Sequence, residues 1–252
     1  MGENGLYGAV LPPATRQADP RTASDFLYDL AVEEGGALQV ICLGPATNLA
    51  QAIEEHPDLP GLLAGVTLGA ARAPIPEVEV ERLKGESEEA WRKRWEEAQL
   101  KKEQEEVGAH PDLLWEADKA ALSAVVESGV PLTVVPVEAL EGMDAVKKDR
   151  WDTLAPLLED TGKAAPLYAG AKEYLNEEYR KGSPSIAMDF SAVAVLAALV
   201  DESALKMAEG GIAWARYGPV VNPGGEGIHC RVASELEMVT DEDYKWAKAT
   251  GG

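Results

Sequence analysis

Leu38-Gln39-Val40-Ile41-Cys42-Leu43-Gly44-Pro45 is the stretch on which the fold turns. It is a short, nearly continuous apolar run stopped by Gly-Pro, as expected for a strand buried on both faces of a parallel sheet. Upstream, Ala23, Phe26, Leu27, Leu30 and Ala31 fall at helical spacing from Thr22, and Gly35-Gly36 ends that helix. Downstream, Thr47 or Asn48 can cap a helix through Leu49, Ala50 and Ile53 to about His56, where His56-Pro57-Asp58-Leu59-Pro60 breaks it. The same alternation continues outward. Gly65-Val66-Thr67-Leu68 predicts a strand, and Asp118 to Ser128 a helix with Ala121, Leu122, Val125 and Val126 on one face. Val130 to Val137 predicts a buried strand. Residues 151–180 predict two helices broken near Thr161-Gly162, and Ser191 to Leu199 a very apolar helix. Two tail strands, Ile212–Ala215 and Ile228–Val232, precede a short helix from Asp241 to Ala249. Strands alternating with helices predict an α/β fold with a mainly parallel sheet covered by helices on both faces, Rossmann-like, in a single domain over 1–252.

The chain has 252 residues, with 44 acidic against 23 basic side chains and a net charge of −21. That balance excludes binding to nucleic acid polymers through phosphate contacts and disfavours anionic membranes. No apolar run reaches the ~18–20 residues that span a bilayer. Cys42 and Cys230 are too few for a disulfide scaffold. The expectation is a soluble protein of the cytoplasm or an organelle interior. Residues 77–106 differ in kind: 18 of the 30 are charged, and Trp91, Trp95 and Ala98 form only a narrow stripe. This reads as a solvated helical insert docked by its two tryptophans; the alternative is a partner-binding helix carried by Trp91 and Trp95. The chain has neither a phosphate-cradling loop nor a nucleophile elbow. His56, His110 and His229 each stand alone, which favours structural roles over metal binding.

Several segments, in order, resemble the inosine–uridine-preferring nucleoside hydrolase family. Gly2-Glu3-Asn4-Gly5-Leu6-Tyr7-Gly8-Ala9 with Leu11-Pro12 resembles its H-G-x-D-G-L-G-G…L-P stretch. Leu43-Gly44-Pro45-Ala46-Thr47-Asn48-Leu49-Ala50 resembles L-G-P-L-T-N-L-A, the most specific match. Glu127 to Pro136 is similar to E-S-G-x-P-L-T-x-V-P, and Met188-Asp189-Phe190-Ser191-Ala192-Val193-Ala194 stands where the family has H-D-P-L-A-V-A. The resemblance implies hydrolysis of a ribonucleoside N-glycosidic bond through an oxocarbenium-like transition state, with calcium orienting the ribose and acidifying water. It also implies ligand roles by position. Leu43 would give calcium a backbone carbonyl and Asp189 a carboxylate. Asn48 lies in the matched turn, and Leu68 takes the place of a methionine under the sugar. His110 and Asp112 stand for a ribose-binding glutamate and asparagine, and Tyr174 and Tyr179 fall where tyrosines cover the base.

Departures from the pattern weigh against activity. The family's D-x-D-x-x-x-D-D cluster, at the end of its first strand, has no counterpart in these residues, so the first strand region is expected to be missing. Met188 replaces the histidine that protonates the leaving base, and a thioether donates no proton. No catalytic residue is assigned and no cofactor is expected, with calcium only if an amino-terminal segment supplies the cluster. The expectation is an inactive, nucleoside hydrolase-like subunit retained in an assembly with a protein partner or further copies. The alternatives are an incomplete view of a calcium-dependent N-glycosidase and, more weakly, a sensor of nucleoside or ribose. A sheet lacking an interior strand would expose two rows of unpaired backbone groups.

Overall fold

The computed structural model describes residues 13–109, 111–140, 145–147, 165–182, 185–187 and 205–236. They fall into two compact units. One comprises Arg21–Leu140 and Ser191–Glu237; the other comprises Met1–Pro20, Glu141–Phe190 and Met238–Gly252.

The larger unit opens with α1 (Ala23–Glu34), bounded as its sequence predicts. Thr22 Oγ accepts from Asp25 N at 3.0 Å, and Gly35 closes the helix in the left-handed region at φ 56°. Strand β1 (Leu38–Cys42) leads into α2 (Thr47–Glu55). Here the expected cap is corrected: Ala46 is the N-cap and makes no side-chain bond. The Thr47 hydroxyl instead donates to Asp118 Oδ2 at 2.7 Å, while Asp118 Oδ1 accepts from Ala121 N and caps α6 (Lys119–Glu127). One carboxylate therefore ties the starts of two helices together. The Pro57–Pro60 break contains a single turn, α3 (Leu59–Leu62), before β2 (Leu63–Leu68). After α4 (Glu88–Ala109) and α5 (Leu113–Ala117) come α6 and β3 (Leu132–Val134), which is shorter than the apolar run that encodes it. Its continuation, Val137–Leu140, is a 3-10 turn.

The smaller unit contains β4 (Ala145–Lys147), α7 (Ala165–Arg180) and β5 (Ser185–Ala187), with β4 and β5 antiparallel. The predicted helices at 151–160, 191–199 and 241–249 lie outside the described residues.

The larger unit's six-stranded sheet has the order β1-β2-β3-β8-β6-β7, with β6 (Leu205–Ala215), β7 (Gly218–Pro223) and β8 (Ile228–Leu236). The pairings β1–β2, β2–β3 and β3–β8 are parallel; β8–β6 and β6–β7 are antiparallel. This is the mixed α/β architecture the alternation predicts, with an antiparallel meander added. β7 has no counterpart among the predicted strands, and it carries two prolines, Pro219 and Pro223. At the sheet's rim a missing N–H costs no ladder bond, so Pro219 is tolerated. The tight β6–β7 turn needs Gly218: its φ is 124°, and a Cβ there would stand 2.8 Å from Trp115 Nε1. The expected interior gap is not seen among the described residues. The sheet is continuous, and β1 lies at its margin, paired with β2 alone.

The core lies where β2 and β3 meet α6. Val66, Leu68, Leu122, Val125, Val126 and Val134 are each at most 2% exposed. Burying such a side chain contributes roughly 1.5–3 kcal/mol.

The charged insert forms a hairpin of extended chain against helix. Indole N–H groups of Trp91 and Trp95 donate to the carbonyls of Val80 (2.7 Å) and Val78 (3.0 Å), and Val78 N donates to Gln99 Oε1 at 2.8 Å. Arg94 holds Glu86 in a two-pronged pair with both contacts at 2.8 Å, and reaches the Glu81 carbonyl as well. Further along, Lys102 donates to the Pro76 carbonyl at 3.0 Å. Buried Gln99 and Glu103 continue the row, and Glu103 pairs with Arg216 in the β6–β7 turn. The tryptophans thus dock the insert on its own preceding segment, the first of the two sequence readings. Trp91 and Trp95 are half-buried there.

Candidate functional site

Strands β1, β2 and β3 end together, while β8 runs on past them to Leu236. Cys42 sits opposite Leu68, Leu68 opposite Val134, and Val134 opposite Val232. Ligands of open α/β sheets bind outside this carboxyl edge. Leu43, the first residue past β1, stands there 50% exposed, and Asn48 is exposed in the first turn of α2.

The next two predicted positions are occupied otherwise. Leu68 is 1% exposed, packed in the core at the last position of β2. Asp112 is buried and caps α5: Oδ1 accepts from Trp115 N at 3.0 Å, and Oδ2 accepts from Ala71 N at 2.7 Å. Burial pushes its carboxyl above the usual carboxylate range, against the pull of these N–H groups and of Arg72. The loop after β2 is closed on other sides as well. Val137 N donates to Ala71 O, Arg72 N to Pro219 O, and Val221 N to Arg72 O.

In the smaller unit, Tyr174 and Tyr179 both belong to α7, and Tyr179 is buried. His110, Met188 and Asp189 lie outside the described residues. A groove of about 630 Å³ runs between α2 and α6, lined by Ala50, Ile53, Ala120, Ala121 and Ala124 under a rim of Thr47 and Asp118. The residues predicted for ribose do not line it.

Two pairings escaped the sequence reading. His229, which stands alone in the sequence, meets Glu209 from the adjacent strand at 2.8 Å. His56 stacks on Tyr28 and lies beside Asp25. Both partnerships arise from strand or helix pairing and have no local spacing to betray them.

Residues 1–245 match the family model described as inosine-uridine preferring nucleoside hydrolase. The six-stranded α/β architecture agrees with solved members. A plant nucleoside hydrolase superposes with a TM-score of 0.64 at 17% identity, covering 98% of this chain and 71% of that one. A purine-preferring ribonucleoside hydrolase from Gardnerella vaginalis gives 0.60 at 16%, covering 94% and 67%. With the family profile and the fold in agreement, this chain belongs to the inosine-uridine preferring nucleoside hydrolases. Among curated proteins, it is 42% identical to uridine nucleosidase 1 of Arabidopsis thaliana over 53 residues, 21% of this chain and 16% of that one. It is 35% identical to the pyrimidine-specific ribonucleoside hydrolase RihB of Escherichia coli over 71 residues, 28% and 23% of the two chains. The matched stretches therefore span less than a quarter of those relatives' length.

The family resemblance carries an expectation of calcium, which takes ~6–8 oxygen ligands. Of the calcium ligands that resemblance places, Leu43 and Asp189, only Leu43, through its carbonyl, falls among the described residues. The described residues do not make a calcium site by themselves.

Proposed function

We propose that this chain is a nucleoside hydrolase-like subunit that does not cleave nucleosides alone and works as an interaction component of a larger assembly, with a protein partner or with further copies. The observation that carries this reading is Asp112. It stands where the family resemblance puts a ribose ligand, yet it is buried and serves as helix cap and loop tether. Met188 adds to it, since a thioether cannot protonate a leaving base. Loss of one acid or base element typically costs ~10²–10⁴ in rate. The test is base release from inosine, uridine and a chromogenic riboside, with calcium present. No release is expected from the 252-residue chain, and measurable turnover would overturn the proposal. Native mass and affinity capture test the assembly: a folded monomer with no co-purifying chain would remove it.

A second reading is favoured by one feature, the outer edge of β1. That edge pairs with no strand among the described residues, and it runs up to Leu43. A further segment pairing there would arrive beside Leu43 and could bring the aspartates of a calcium-dependent N-glycosidase. Turnover by the longest natural product, absent from the present chain, would select this reading over the first.

A further inference from the structure

We infer that Asp25, Glu55 and His56 form a site for a divalent transition ion of the zinc type, clasping the start of α1 to the end of α2. Asp25 lies in the first turn of α1, Glu55 is the last residue of α2, and His56 is its C-cap. One ligand atom from each lies within 4.8 Å of the others. His56 Nε2 and Asp25 Oδ1 are 3.7 Å apart. That is too long for a hydrogen bond, and near the ~3.3 Å between two ligands that bind one tetrahedral ion at ~2.0–2.1 Å each.

Two unpartnered atoms point to the same place. His56 Nε2 is shielded from solvent and has no hydrogen-bond partner. Ser24, beside Asp25 and 2% exposed, likewise has an Oγ without a closed hydrogen bond. That hydroxyl lies within side-chain reach of Glu55, whose Oε1 accepts from Gln51 Nε2 at 2.9 Å. A bound ion would satisfy the imidazole nitrogen directly and leave the serine hydroxyl a fourth oxygen or a bond to the ligating carboxylate.

The imidazole is already oriented. It lies flat on Tyr28, with centroids 4.0 Å apart and planes at 9°, and the Tyr28 hydroxyl donates to Asp58 at 3.0 Å. One imidazole nitrogen with carboxylate oxygens suits Zn²⁺, Co²⁺ or Ni²⁺; calcium and magnesium favour all-oxygen sets. Two carboxylates match the dication's charge, and a chain of net charge −21 favours its approach.

The test is calorimetric titration of the full chain with Zn²⁺, paired with the Cu²⁺ electron paramagnetic resonance spectrum. One ion per chain is expected, with nitrogen coupling from one imidazole. Glu55→Gln keeps the side chain's size and its acceptor for Gln51, and should weaken zinc at least ~10-fold; His56→Ala should abolish the nitrogen coupling. Thermal melts of each variant establish that it is folded. Should His56→Ala fail to fold, Glu55→Gln and the wild-type spectrum still decide. Absence of zinc binding, unchanged affinity in Glu55→Gln, or no imidazole coupling in the wild type each overturns the site. So does coupling that survives His56→Ala, which would place the ion on His110 or His229. None of these readouts depends on hydrolytic activity.

Discussion

Asp112 Oδ2 accepts the amide of Ala71 at 2.7 Å, and Ala71 is the non-glycine residue with positive φ, 68°, among the described residues. A left-handed alanine costs roughly 1–2 kcal/mol. A buried, charge-assisted hydrogen bond offsets a cost of that size, so the carboxylate holds the bend at the end of β2. Asp112→Ala removes this bond and the α5 cap together. We expect a loss of about 2–4 kcal/mol from an unsatisfied buried N–H plus a lost cap, read by urea denaturation. Asp112→Asn keeps one acceptor and should lose less, about 1 kcal/mol. A loss below that in the alanine variant would show that Asp112 is free for a ligand.

The pH dependence of the same group has a definite sign. Burial raises the folded-state pKa of Asp112 above the ordinary aspartate value of 3.8. The stability this contributes is therefore full below the unfolded pKa and is lost as pH rises through the raised folded value. The advantage of wild type over Asp112→Asn should shrink as pH climbs from below 3.8, measured by chemical denaturation across that range.

Glu86 shifts the other way. Its pair with Arg94 and the Leu83 N–H pull its carboxyl down to about 2. Its contribution to the insert is present above the unfolded value of 4.5 and is lost as pH falls toward 2. Amide exchange in residues 81–94 should stay slow at mildly acid pH and accelerate only toward that limit. In Arg94→Ala the acceleration should begin at higher pH.

The two cysteines should be inert. Desolvation pushes the thiols of Cys42 and Cys230 up to about 11 each, and both are buried. At neutral pH almost no thiolate exists to react. Alkylation should be slow for native protein and complete on unfolding; fast labelling of either thiol while folded would contradict the packing of β1 or β8.

Trp95→Phe keeps a ring but removes the N–H that Val78 O accepts. We expect a cost of about 1 kcal/mol and faster exchange near Val78, with assembly unaffected because the ring packs on its own chain. Met188→His, by contrast, should not give base release from a chromogenic riboside, since a general acid alone supplies neither metal nor base.

Short-range chemistry was legible without coordinates. The helix start at Thr22, the Gly35 stop, the Asp118-led helix and the alternation of apolar strands with amphipathic helices rest on neighbours a few residues apart, and the family motif at Leu43–Ala50 is equally local. The predicted ligand positions at Leu68 and Asp112 were found in the fold, but their employment there was not legible. The decisive bonds span 41 residues for Ala71–Asp112, 71 for Thr47–Asp118 and 113 for Glu103–Arg216. Sequence says which side chains can accept or donate. Only packing decides which donor is brought to each acceptor, and where water is excluded, as at Ala71 N, the buried donor must find a partner. Tertiary structure likewise placed β1 at one sheet margin and β7 at the other, and gathered Asp25, Glu55 and His56 from the ends of two helices, because such contacts join residues far apart in the chain.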